Sequence, residues 1–204
     1  MPIDLKQLLA PGHTALVTQE IQRGVIGDLS ALPELAKEAG KAIPFIAKLV
    51  DAARAAGVPV IHATAERRAD GFGANTNARL FQYMAKAEPK LIPGSDAAAI
   101  VPEIEVADSD LVLPRLHGIS PFQGTELDFI LRNLGVTTLV GVGVSVNVAI
   151  TNFAFDAVNA SYQMVIPRDA VAGTPPEYAE QVLQYTLRNI ATVVTSDDVI
   201  AAWS

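Results

Sequence analysis

TTLVGVGVSVNVAITNFAFDAVNASYQMVIP, residues 137–167, spells out a strand, a helix and a second strand. Its first part, TTLVGVGV (137–144), is the most apolar of the strand-like runs and is apolar at successive rather than alternate positions. That marks a strand covered on both faces, as at the centre of a parallel sheet. From about Val146 to Asn159 the pattern is helical, and YQMVIP (162–167) is extended again. A strand that returns parallel to its predecessor through a helix is a βαβ crossover, which is almost always right-handed.

The same alternation runs outward in both directions. Upstream, ALVTQEI (15–21) follows Pro11-Gly12 as a buried strand, VPVIHATA (58–65) is a second and DLVLPRL (110–116) a third. Between the first two, Ile43, Ile46, Ala47, Val50 and Ala53 recur at three- and four-residue spacing and form one apolar helix face. Pro44 is expected in that helix's first turn, with Gly57 ending it. Thr125 opens a later helix, with Asp128 three residues on as in a capping box and Gly135 as the stop. Its buried side is read as Leu127, Ile130, Leu131 and Leu134. Downstream, a helix runs from Pro175-Pro176 to about Ile190, packing through Tyr178, Val182, Tyr185 and Ile190. TVVT (192–195) is the sixth strand and DDVIAAW (197–203) a terminal helix. Six strands alternating with helices, undivided by linker or repeat, predict one three-layer α/β domain over residues 1–204, with a mostly parallel sheet between helices.

Composition narrows the functional classes. The 204 residues suit a single core. A net charge of −7 with no basic stripe argues against nucleic acid as a partner. With no cysteine there is no disulfide, thiolate metal site or thiol nucleophile. His13, His62 and His117 lie on separate segments, so neither a metal site nor a cofactor is expected. No run is apolar and long enough to span a bilayer, and MPIDLKQLLAPGHTALV lacks the parts of a signal peptide; a cytoplasmic location is expected. A mean hydropathy of +0.30 fits a sheet buried on both faces or surface hidden in an oligomer.

In an open parallel sheet, ligands bind beyond the carboxyl ends of the strands. The first strand ends in Gln19-Glu20, and a carboxylate there must be solvated, paired or functional. The third ends in Pro114-Arg115, with His117 close behind; an arginine can steady an anion but cannot shuttle a proton. Taken alone, Glu20 and Arg115 read equally as a buried ion pair. The fourth runs into Gly141-Val-Gly143-Val-Ser145-Val-Asn147-Val-Ala149, where a helix start turns N–H groups toward the crevice. A dinucleotide fingerprint is rejected, because its third glycine falls on Val146. Residues 66–98 are polar and weakly periodic, a long excursion with a short helix of the kind that builds sites; Arg67, Arg68 and Arg79 lie in it.

Three stretches together resemble the isochorismatase-like hydrolase family. ALVTQEIQ (15–22) is similar to the family pattern ALLVIDMQ, with Glu20 at the aspartate. SPFQGTELDFILRNLGVTTLVGVGVS (120–145) resembles S-A-F-x-G-T-x-L, a helix and a strand ending G-V-x-T. GVSVNVAITNFAFDAVNASYQMVIPRDAVAG (143–173) resembles GVSTNxCVxxTARDAxxxGYxVxVxxDAVAG, with Asp156 and Asp169 at structural positions. The resemblance implies a sheet of order 3-2-1-4-5-6, a non-proline cis peptide between Val144 and Ser145, and a homo-oligomer, dimer or tetramer, whose neighbouring subunit helps cover the site. The family's amidase branch attacks a carbonyl with a cysteine assisted by an aspartate and a lysine; here those places hold Ala149, Glu20 and Arg115. The isochorismatase branch also lacks the cysteine and hydrolyses a vinyl ether, with an acidic residue of the first strand as general acid. Two readings follow. One is a hydrolase without a covalent intermediate, acting on a small anionic metabolite, with Glu20 as acid and Arg115 and Ala149 in the catalytic centre; Gln19, His117, Ser145, Asn147 and Arg79 would bind substrate. The other is a non-catalytic relative that binds a small molecule or protein partner through the same pocket.

Overall fold

The structure, a computed structural model, describes residues 3–204. Seven strands, β1 (Thr14–Gln19), β2 (Val60–Ala65), β3 (Leu111–Arg115), β4 (Thr138–Val144), β5 (Gln163–Pro167), β6 (Val171–Ala172) and β7 (Thr192–Val194), form one parallel sheet. Six follow the order β3-β2-β1-β4-β5-β7, while β6 pairs with β4 at its carboxyl end. The expected six-strand order therefore stands, with one addition: the two residues of β6 are too few to leave a periodic signal. All of β1 and β4 is buried, as continuous apolar runs in a two-sided sheet require.

Eight helices accompany the sheet: α1 (Leu5–Leu8), α2 (Arg23–Ile26), α3 (Pro33–Ala55), α4 (Arg79–Met84), α5 (Leu127–Asn133), α6 (Thr151–Asn159), α7 (Pro176–Tyr185) and α8 (Ser196–Trp203). Successive strand residues face opposite layers, so Leu16 and Val140 join a core with α3 and α8, whereas Val17 and Leu139 join one with α5, α6 and α7. No helix among the described residues is long and apolar enough to cross a membrane.

Four local expectations are corrected. Pro44 lies inside α3, not in its first turn; the turn begins at Pro33, and Leu35, Ala39 and Ala42 carry the buried face back from Ile43. Burial of that face outweighs the one hydrogen bond that a mid-helix proline removes. Thr125 and Asp128 do not form a capping box, because α5 starts at Leu127 and Asp128 accepts from the Arg132 Nε–H and the Tyr162 hydroxyl instead. The capping box belongs to Thr195 and Asp198, at the start of α8. Leu134, Tyr178 and Tyr185 are exposed, and α7 packs through Ala179, Val182 and Leu183. That helix stops at Tyr185, and a 3-10 turn at Leu187–Asn189 completes the run toward Ile190.

A buried polar chain fastens α3 to the loop ahead of β3. The Thr18 hydroxyl donates to His62 Nδ1 (2.8 Å), His62 Nε2–H donates to Asp110 (3.3 Å), and Arg54 Nε–H donates to the same carboxylate (3.2 Å). Burial holds the His62 pKa below its ordinary value, against the pull of Asp110. Burial pushes the Asp110 carboxyl up, but the hydrogen bonds from Arg54, the Ala107 N–H and His62 outweigh it and leave it low. Folded His62 is thus neutral where the unfolded chain, with a histidine pKa of about 6.5, already binds a proton. Its contribution is present above pH ~6.5 and is lost as pH falls from there toward the folded value, by at most ~1.4 kcal/mol per pH unit. Urea unfolding at pH 7.5, 6.5 and 5.5 should show this decline, and His62→Asn should flatten it. An equal decline in the variant would assign it to other groups.

Candidate active site

The crevice opens where β1, β2, β3 and β4 end, as the topology requires. A cavity of about 180 Å³ lies there. Its floor is charged: Glu20 follows β1, Glu66 follows β2, Arg115 ends β3, and Ser145 and Ala149 follow β4. Its walls are apolar, from Val25, Leu32 and Leu35 on one side and from Leu80, Phe81, Met84, Pro89 and Leu91 of the β2–β3 loop on the other.

Glu20 and Arg115 form an ion pair on this floor. Their side chains are 17% and 4% exposed, so the pair is nearly dry. Arg115 spends only one nitrogen on it: Nε and Nη1 are buried without a partner. Unpartnered buried donors are uncommon and are a reason to look for a ligand that accepts from them. Glu20 itself takes a left-handed backbone conformation (φ 56°), and its N–H donates to the Ala63 carbonyl (3.0 Å).

Glu66 brings a second carboxyl to the same floor. Its N–H donates to the Arg115 carbonyl (2.9 Å), which ties the ends of β2 and β3 together. Among the described residues its carboxyl makes neither an ion pair nor a hydrogen bond, and burial pushes its pKa above the usual carboxylate value. Gln22 holds the strand end in place: its amide donates to the carbonyls of Ala65 (2.9 Å) and Ala98 (3.0 Å) and accepts from the Ala65 N–H (2.8 Å). Glu66 escaped the sequence reading because it opens the polar excursion. The signal available was its place after the second strand, matching that of Glu20 after the first.

The turn after β4 has its own requirement. Gly143 has φ 107° and pairs with Gln19 so closely that a Cβ would lie 2.2 Å from the Gln19 carbonyl oxygen. The Val144–Ser145 peptide bond is cis, as the family resemblance implied. Residues Val146–Ile150 form one π-helical turn that leads into α6 and carries Ala149, 3% exposed, to the cavity.

The cavity thus gathers five of the residues singled out in the sequence: Glu20, Arg115, His117, Ser145 and Ala149, with Arg67 beside them. It is not lined by Gln19, Asn147 or Arg79. Gln19 is fully buried and donates to the Ile119 carbonyl (3.1 Å). Asn147 turns to the Thr174 carbonyl (3.3 Å). Arg79 is exposed at the start of α4, whose cavity side is Leu80, Phe81 and Met84, and Arg68 is engaged by Asp70 at the surface. Asp156 accepts from Ser120 and Asn152, and Asp169 accepts from the Ser196 N–H (2.8 Å) and hydroxyl (2.7 Å). Both are spent on contacts within the fold and neither lines the cavity.

Comparison with known proteins agrees with this fold. The family model described as the isochorismatase domain matches residues 14–198. Ureidoacrylate amidohydrolase RutB of Rhizobium rhizogenes strain K84 is 30% identical over 220 residues, covering 100% of this chain and 87% of that protein. N-carbamoylsarcosine amidase of Arthrobacter is 27% identical over 158 residues, 78% of this chain and 60% of that one. A solved isochorismatase family protein from Desulfovibrio vulgaris superposes with a TM-score of 0.78 at 29% identity, over 92% of this chain and 98% of that one.

Proposed function

The chain belongs to the isochorismatase family, and on that premise we propose that it is a hydrolase working without a covalent intermediate on a small carboxylate that carries a vinyl ether. One observation carries the reading: a buried arginine, paired with Glu20, keeps two unpartnered nitrogens at the floor of a cavity with apolar walls. Such a floor suits an anionic head, through charge-assisted hydrogen bonds, and the walls suit a carbon skeleton. Ala149 offers only a methyl group where the amidase branch places its cysteine, so the amide chemistry named for the relatives has no thiol to start it. A vinyl ether needs none. It needs a proton at carbon and a water molecule, both of which a carboxyl-bearing pocket can manage.

Isochorismate is the first compound to try. Release of pyruvate from it, with no turnover of simple amides, is the expected result. Amide hydrolysis at ordinary enzyme rates, or no turnover of either class, would overturn the reading. The methyl group at Ala149 equally favours the rival, a binding protein, which would be stabilised against heat by isochorismate but release no pyruvate.

We also propose a homo-oligomer. Phe129 on α5 and Phe155 on α6 are 70% and 43% exposed, apolar surface that a partner subunit would cover. Light scattering at micromolar concentration should give a dimer or tetramer, and a monomeric mass would refute it.

A further inference from the structure

The proposed reaction needs a carboxyl group that carries a proton, and the floor holds two candidates with different surroundings. Glu20 accepts from Arg115, both groups being nearly dry. To act as an acid it would have to give up that bond as a carboxylate and leave a buried guanidinium with a third unpartnered nitrogen besides Nε and Nη1. Uncovering a buried cation in this way is costly. Glu66 is under no such constraint. Its backbone is fixed to Arg115 by the 2.9 Å hydrogen bond, its carboxyl has no partner among the described residues, and it lines the same cavity.

We propose that Glu66, and not Glu20, is the carboxyl that gives the proton to the substrate, while Glu20 serves as a positioning residue that sets Arg115. The inference rests on the vinyl-ether reading for its chemistry, though not for its placement. The charged and titratable groups facing the cavity with Glu66 are Glu20 from the end of β1, Arg115 from β3, His117 just beyond it, and Arg67 and Lys90 of the β2–β3 loop. Arg67 donates to the Met84 carbonyl (3.4 Å) and Lys90 to Glu88 (2.8 Å), so neither is bonded to Glu66. Burial pushes the Glu66 carboxyl above its ordinary value, in the direction of the protonated form.

The steps balance. The Glu66 O–H bond breaks and its proton forms a C–H bond at the terminal vinyl carbon, using the C=C electron pair and leaving an oxygen-stabilised cation. Water bonds to the cationic carbon and returns one proton to the Glu66 carboxylate. The resulting hemiketal breaks its C–O bond, its hydroxyl proton passing to the leaving oxygen, to give an alcohol and a ketone. Arg115 holds the substrate's carboxylate throughout.

The test has two arms, both on the full chain. In the first, the protein is labelled with ¹³C at the glutamate carboxyl carbons, and the signals of Glu66 and Glu20 are assigned by their loss in Glu66→Gln and Glu20→Gln. Glu66 should titrate above the ~4.3 of free glutamate. If Glu66 titrates like free glutamate, the proposal is overturned. In the second, isochorismate turnover is followed against pH. Wild-type kcat should fall as pH rises through the Glu66 titration. Glu66→Gln should lower kcat by ~10²–10⁴-fold with little change in KM and should abolish that limb of the profile, Glu66→Asp should recover part of kcat, and Glu20→Gln should act mainly on KM. Unchanged kcat in Glu66→Gln overturns the proposal. A wild-type protein that does not hydrolyse isochorismate overturns the substrate reading alone, since the labelled titration still decides the place of the proton.

Discussion

Gly143→Ala is expected to destabilise the fold by about 4 kcal/mol. A Cβ at this position would sit 2.2 Å from the Gln19 carbonyl oxygen and 3.0 Å from the Gln19 nitrogen, in a backbone with φ 107°. The conformation alone costs an L-residue ~1–2 kcal/mol. Overpacking adds ~1–3 kcal/mol even where side chains can shift, and here the obstacle is the main chain of β1, fixed by its register with β4. The two terms sum to ~2–5 kcal/mol; with main chain as the obstacle the upper part of that range, about 4 kcal/mol, is expected, a large share of the ~5–15 kcal/mol of an ordinary domain. Gly40→Ala is the control: Gly40 lies in α3, a Cβ there meets nothing within 4 Å, and the change should stabilise by ~0.5–1 kcal/mol. Urea unfolding of the two variants checks both. A Gly143→Ala protein within about 1 kcal/mol of wild type would mean that β1 and β4 can part without loss.

Arg115→Met should cost nearly as much. It keeps an unbranched chain of similar reach but leaves the Glu20 carboxylate on a floor where that side chain is only 17% exposed. Removing one partner of a buried pair costs ~3–5 kcal/mol; Glu20 retains some contact with water, so about 2–3 kcal/mol is expected. The double variant Glu20→Gln with Arg115→Met should recover part of the loss, because no charge is then stranded. The unfolding free energies of the wild type, the two single variants and the double variant close a cycle. A double variant as unstable as the sum of the singles would show that Glu20 and Arg115 do not couple.

Long elements were legible because their periodicity is dictated by burial. β1 and β4 read as continuous apolar runs, and they lie at the centre of the sheet. Features resting on one or two residues were not: β6 has two, and the capping box was placed at Thr125 although the same spacing recurs at Thr195. Two prolines, Pro33 and Pro44, both suit a helix start, and only the buried Leu35, Ala39 and Ala42 choose between them. At the site, Glu20 and Arg115 were legible because strand ends converge in an open sheet. Side-chain direction beyond a strand end is not encoded by position, which is why Gln19 and Asn147 turn to backbone carbonyls rather than to the cavity.

The cavity's charged floor comes from strand ends, whereas one of its apolar walls, Leu80 to Leu91, belongs to a single loop hung between β2 and β3. The loop is closed on itself by the Arg67 N–H on the Leu91 carbonyl (2.8 Å) and tied to the turn after β3 by the Asn75 side chain, which accepts from the Gly118 N–H (2.8 Å). Shape recognition and reactive groups are therefore inherited on separate stretches of chain. Exchanging residues 74–91 between relatives should reshape such a pocket while Glu20, Glu66 and Arg115 stay where they are.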